Sequence, residues 1–120
     1  MKGLLLGLAV ALLSASTSFA ADDRDVTVVN GTGYGIKFLG FNNPGDSVWS
    51  DNELDEVLAD GEEIEVTFDN SHKGCVWNFK IEWADPGYPD VLWRNLNLCT
   101  ISKLTLKWDR ATNVTTAITE

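Results

Sequence analysis

Histidine occurs once in this 120-residue chain, cysteine twice, and nine basic residues face eighteen acidic ones. Each shortage removes a class of function. The one histidine, His72, lies in Asn70-Ser71-His72-Lys73-Gly74, which reads as a turn. Nucleophilic catalysis needs a serine or cysteine beside a base, and neighbours in sequence do not automatically face each other. The expectation is therefore an exposed turn histidine and no catalytic constellation. No phosphate loop, dinucleotide fingerprint or zinc-ligand spacing is present either. Paired carboxylates are plentiful, but they stand in hydrophilic runs with no apolar setting to raise a pKa.

The formal charge of −9 argues against nucleic acid and anionic lipid and favours basic partners or cations. Long apolar runs are missing beyond the first 20 residues. Leu4 to Leu13 is apolar and follows Met1-Lys2-Gly3, and Ser18 and Ala20 sit at the −3 and −1 positions of a small-residue tail. This predicts a cleaved secretory signal over 1–20 and a single domain over 21–120. The apolar run is too short for a bilayer span, which takes roughly 20 residues, so no membrane anchor is expected after cleavage. The expected compartment is periplasmic or extracellular. Asn30-Gly31-Thr32 and Asn113-Val114-Thr115 match the glycosylation acceptor, which matters only in a eukaryotic secretory pathway.

Two cysteines in an exported chain predict one disulfide, Cys75 to Cys99, rather than a redox pair, because they are not spaced C-x-x-C. Loop-closure entropy assigns such a bridge about 3.5 kcal/mol.

What is abundant is strand patterning. Cys75, Trp77, Phe79, Ile81 and Trp83 alternate with Asn78, Lys80 and Glu82, the signature of a strand with one face in a core. Asp25–Asn30 and Tyr34–Phe41 read as two strands joined by Gly31-Thr32-Gly33, a link short enough to predict a hairpin. Ile64, Val66 and Phe68 point inward from a third strand. Further strands follow from Val91, over Ile101–Trp108, and over Thr112–Thr119. No long helix and no internal repeat is evident. The reading is an all-β, antiparallel β-sandwich of about seven strands. Trp77, Trp83 and Trp108 are placed in its core, packed around the disulfide. Ala21–Arg24 reads as a loose leader.

Between Asn42-Asn43-Pro44-Gly45-Asp46 and Asp60-Gly61 the alternation fades into an acidic excursion pinned by Trp49 and Leu54, with room for one helical turn. Trp49 beside Asp51, Glu53, Asp55 and Glu56 is the candidate partner-contact loop, with Trp93 a weaker candidate. Asp46, Asp51 and Asp55 offer hard oxygen ligands of the kind Ca²⁺ takes, but the spacing is not that of an EF-hand, and no metal or cofactor is expected.

Several of these residues also carry a family resemblance. Cys75-Val76-Trp77-Asn78, then Trp93-Arg94-Asn95-Leu96-Asn97-Leu98-Cys99, with Asn30, Thr32, Gly33, Trp49, Leu54 and Gly61 upstream, resembles a family of small exported bacterial proteins. Its pattern is C-x-(W/Y)-(N/D) followed by W-x-x-(L/V)-(N/D)-L-C. Some members carry the name argininosuccinate lyase. That enzyme is large, helical and cytoplasmic, and this chain has neither its length nor its helices. The resemblance implies a small exported β domain and no defined activity. The expected function is non-enzymatic binding of a protein or envelope component. Alternatives are an inhibitor or immunity protein for a basic secreted hydrolase and, further off, a small hydrolase.

Overall fold

The computed structural model describes residues 22–120; the signal segment expected over 1–20 lies outside them. Seven strands form two sheets: β1 Val26–Gly31, β2 Ile36–Asn42, β3 Glu63–Val66, β4 Val76–Trp83, β5 Val91–Asn97, β6 Lys103–Asp109 and β7 Val114–Thr119. One sheet has the order β3-β1-β6-β7 and the other β2-β4-β5. The fold is an all-β sandwich with one disulfide, as the alternating pattern requires. Among the described residues no helix occurs, and the turn allowed for in the acidic excursion is absent.

The core is built from inward positions of both sheets. Val26 and Val28 of β1 and Leu104 and Leu106 of β6 are buried on one side, and Trp77, Phe79 and Ile81 of β4 on the other. Three rings stack across the smaller sheet, following its strand register. Phe41 lies 4.8 Å from Phe79, and Phe79 lies 5.1 Å from Trp93, both nearly parallel. Phe68 closes the stack edge-on, 5.6 Å from Phe41 and 5.2 Å from Trp77. Such pairs add to burial through the quadrupole of each ring. Trp93 is thus part of the core's edge.

Several expectations are corrected. β1 and β2 do not form a hairpin but belong to different sheets. Asn30 causes the change. Its side chain is fully buried and donates from Nδ2 to the carbonyls of Tyr34 (2.8 Å) and Leu58 (2.9 Å). Its Oδ1 accepts from the Thr32 amide and hydroxyl. These bonds satisfy the link locally, so it crosses the sandwich without a ladder. The same burial closes Asn30 to glycosylation.

The sheets are not wholly antiparallel, since β1 and β6 run parallel, with Thr27 opposite Lys103 and Gly31 opposite Lys107. Asn78 was placed on the water face of β4 but is buried. Its Oδ1 accepts from the Asn95 amide at 3.0 Å, where the β4–β5 register slips.

Of the leader expected to be loose, Asp22 to Arg24 are described and are held in place. Asp22 pairs with Arg24 through two bonds of 2.9 and 2.8 Å. The Arg24 guanidinium also donates to the carbonyls of Asp69 and His72 and lies 5.5 Å from the Phe68 ring. Asp25 accepts from the Phe68 amide. This clasp ties the start of the domain to the β3–β4 turn.

Candidate functional site

Three places on the surface gather chemically capable side chains: the acidic excursion, the turn beside the disulfide, and a cleft at the opposite end of β4.

The excursion runs along the outer edge of β2 and completes it. The amides of Ser50 and Glu53 donate to the carbonyls of Phe41 and Leu39, both at 2.9 Å. In return the Ser50 hydroxyl and Asn52 carbonyl oxygen accept from the amides of Phe41 and Leu39, both at 3.1 Å. Asn52 Nδ2 donates to the Lys37 carbonyl, and Leu58 exchanges two main-chain bonds with Ile36. Backbone groups along a sheet edge need partners, and this segment supplies them. Leu54 and Leu58, not Trp49, are the buried anchors. Trp49 is half-buried, and the Lys80 ammonium stands 4.9 Å from its ring and 5.1 Å from Phe38. A Cβ on Gly40 would strike the Phe38 ring at 2.7 Å and Ser50 Oγ at 3.1 Å, so glycine is needed beneath this layer.

Asp51, Asp55 and Glu56 are exposed, while Glu53 is half-buried. Burial raises the Glu53 pKa, with Asp51 nearby acting in the same direction and a bond from Ser50 opposing it. Asp46 is exposed, and its carbonyl accepts from Asn42 Nδ2 at 2.7 Å. Among the described residues no three Asp, Glu, His or Cys side chains come together to hold a metal ion. Asp46, Asp51 and Asp55 are therefore not gathered at one centre.

At the β3–β4 turn, Asp69, Ser71 and His72 meet. Ser71 Oγ donates to Asp69 Oδ1 at 2.5 Å, and His72 Nδ1 lies 3.1 Å from that same oxygen. A catalytic relay needs the hydroxyl on one ring nitrogen and the carboxylate on the other. Here both face Nδ1, so the group closes the turn rather than activating the hydroxyl. Bonds from the Ser71 side chain and amide, with His72 close by, lower the Asp69 pKa.

Cys75 and Cys99 form the expected disulfide, with Cα atoms 5.2 Å apart. Its setting differs from expectation. Cys75 is exposed and precedes β4 instead of lying on its apolar face, and Trp83 and Trp108 line a separate opening rather than the one at the bridge. The bridge links the adjoining ends of β4 and β5, where the Leu98 amide donates to the Cys75 carbonyl at 2.8 Å. It opens on a shallow basin of about 450 Å³ beside Arg24, His72 and Lys73.

A cleft of about 940 Å³ opens at the other end of the sandwich. Three connections build it: the β1–β2 link, the β4–β5 turn and the β6–β7 turn. Tyr34, Trp83, Tyr88 and Trp108 bring their rings to it, with Val91 and Val114 between them. Trp83 is nearly buried and Tyr34 meets it edge-on at 6.4 Å, whereas Tyr34 and Tyr88 are 49% and 61% exposed. Trp108 is half-buried, so its expected place in the core is corrected: it lies next to the last residue of β6 and lines the cleft. Asp85 and Asp90 of the β4–β5 turn and Arg110 of the β6–β7 turn also line it. None of these three forms an ion pair among the described residues.

This site escapes a reading by alternation, because inward tryptophans read as core and Trp83 is indeed core. The available signal was position: Trp83 ends β4 and Trp108 stands one residue before the end of β6, each just ahead of a turn. The first of those turns places Tyr88 between Gly87 and Pro89.

Compared with known proteins, the chain matches no family model, no curated sequence and no solved structure.

Proposed function

We propose that this chain is an exported, non-catalytic binding protein of the periplasm or extracellular space, and that it takes its protein or envelope partner at the aromatic cleft. The observation that carries the reading is the convergence of four rings on one opening, two of them about half exposed or more. A concave apolar site with a few polar groups at its rim is the usual form of a ligand site. Tyrosine and tryptophan supply large contact area with one polar end, and they concentrate at binding surfaces. The disulfide suits an oxidising compartment. The Asp69–Ser71–His72 geometry supports a role without turnover.

The test is binding of the labelled mature chain to envelope fragments of the source bacterium. Tyr88→Ala, a change on an exposed turn, should abolish binding, and a triple change of Asp51→Asn, Asp55→Asn and Glu56→Gln should leave it intact. The reverse pattern would move the site to the excursion.

That outcome favours a second reading, an inhibitor or immunity protein for a basic hydrolase. Its support is that Asp51, Asp55 and Glu56 project from a segment held rigidly against β2. Binding of that kind weakens as salt rises, because exposed charges are screened.

A further inference from the structure

A sheet edge is a row of unpaired main-chain donors and acceptors, and proteins protect such edges against unwanted pairing. This sandwich has four edges, formed by β2, β5, β3 and β7. β2 is covered by the acidic excursion. β3 is only four residues long and carries Glu63 and Glu65. β5 is broken by a register slip, by Asn95 in the left-handed region (φ 57°) and by the charge of Arg94. β7 has none of these protections. Its sequence, Val-Thr-Thr-Ala-Ile-Thr, is uncharged and rich in β-branched residues, and it pairs with β6 in unbroken register from Val114 to Thr119. Val114 and Ile118 are about half exposed. The strand begins inside the aromatic cleft, which Val114 and Thr115 help to line.

We propose that β7 is a docking edge for an extended segment of another protein. The segment adds as a fifth strand to the larger sheet and sends an apolar side chain into the cleft. Main-chain hydrogen bonds to β7 supply affinity, and the cleft supplies side-chain choice. Charge fixes the remaining chemistry. Two acids, Asp85 and Asp90, and one base, Arg110, line the cleft without an ion pair among the described residues, and the chain carries a net charge of −9, so the segment carries a lysine or arginine next to its apolar anchor. The side-chain part rests on the cleft being the binding site; the edge part stands on β7 alone.

The experiment selects a displayed library of random linear dodecapeptides on the disulfide-bonded mature chain. Enriched peptides are expected to alternate apolar or β-branched residues with others and to carry a basic residue towards one end. Synthetic copies should slow amide exchange along Val114–Thr119. Methylating alternate backbone nitrogens of the peptide should weaken binding by about tenfold or more. The Asp85→Asn/Asp90→Asn variant should weaken it by about three- to tenfold.

Binding that survives N-methylation, protection elsewhere than β7, or a library with no enriched peptide would overturn the proposal. A peptide that protects β7 and is unaffected by Tyr88→Ala would keep the edge and remove the cleft. A glycan array that yields a ligand lost in Tyr88→Ala, with no peptide enriched, would keep the cleft and remove the strand.

Discussion

Asn30 holds Leu58 from inside the sandwich: its Nδ2 donates to the Leu58 carbonyl at 2.9 Å, although the two residues are 28 apart in sequence. Through that bond the β1–β2 link and the end of the acidic excursion become one structure. Asn30→Ala would remove the side-chain bonds to Tyr34, Leu58 and Thr32 in a fully buried place. We expect a loss of about 3 kcal/mol in urea unfolding. Asn30→Asp should be as damaging, because it buries a carboxylate facing two carbonyls.

Ser50→Ala and Asn52→Ala test the excursion as an edge cover. Each change leaves an amide of β2, Phe41 or Leu39 respectively, without its side-chain acceptor. Each should cost about 1 kcal/mol, and the double variant should aggregate faster than wild type in light scattering, as an uncovered edge does.

Two carboxylates should shift acid stability in opposite senses. Side-chain hydrogen bonds from Arg24 lower the Asp22 pKa to about 2 from an ordinary 3.8. Its contribution is present above that ordinary value and is lost as pH falls from about 4 towards 2. Asp22→Asn should therefore lose less stability than wild type between pH 5 and pH 2, as read from urea midpoints. Glu53 is the converse, because burial raises its pKa above 4.5. Its native form binds more protons than its unfolded form, so stability falls as pH rises through that window. Glu53→Gln should raise the urea midpoint at pH 7, and the gain should vanish below about pH 4.

The exposed disulfide should be reducible without unfolding. Mild reductant should release two thiols, while the far-ultraviolet signal of the sheets remains. The reduced chain should be less stable by about 3.5 kcal/mol in denaturant. Two hydrogens gained on reduction, seen by mass, verify the bridge in the purified protein.

The strands were legible because alternation reports a one-sided environment directly, as at Ile64 and Val66 or Leu104 and Leu106. Strand partners were not. A short link normally means a hairpin, but this one is held by the four bonds of the buried Asn30 side chain together with bonds of Thr32 and Gly33 to Tyr34 and Asp60. The Cys75–Cys99 pairing followed from count and compartment, whereas its exposure depended on where the β4–β5 ladder ends. At the candidate site, residue type was a partial guide. Trp49 is half-buried with Lys80 over its ring, while Asp51, Asp55 and Glu56 beside it stay exposed. Trp83 is core, as its place in the alternation implies, whereas Trp108, near the end of β6, is half-buried at the cleft.

The parallel pairing of β1 with β6 has a consequence for the order of folding. The first strand waits for a partner near the far end of the chain, as Thr27 opposite Lys103 shows. Joining such distant segments carries a high loop-closure entropy and is slow. The smaller sheet needs only nearer segments, and its β4–β5 hairpin is complete by Asn97. For a chain emerging amino terminus first, the β2-β4-β5 sheet and its cystine can therefore form early, while β1 stays unpaired on its β6 side until the final twenty or so residues are free. A chain made from its amino terminus therefore leaves the larger sheet unfinished until β6 is free to pair with β1.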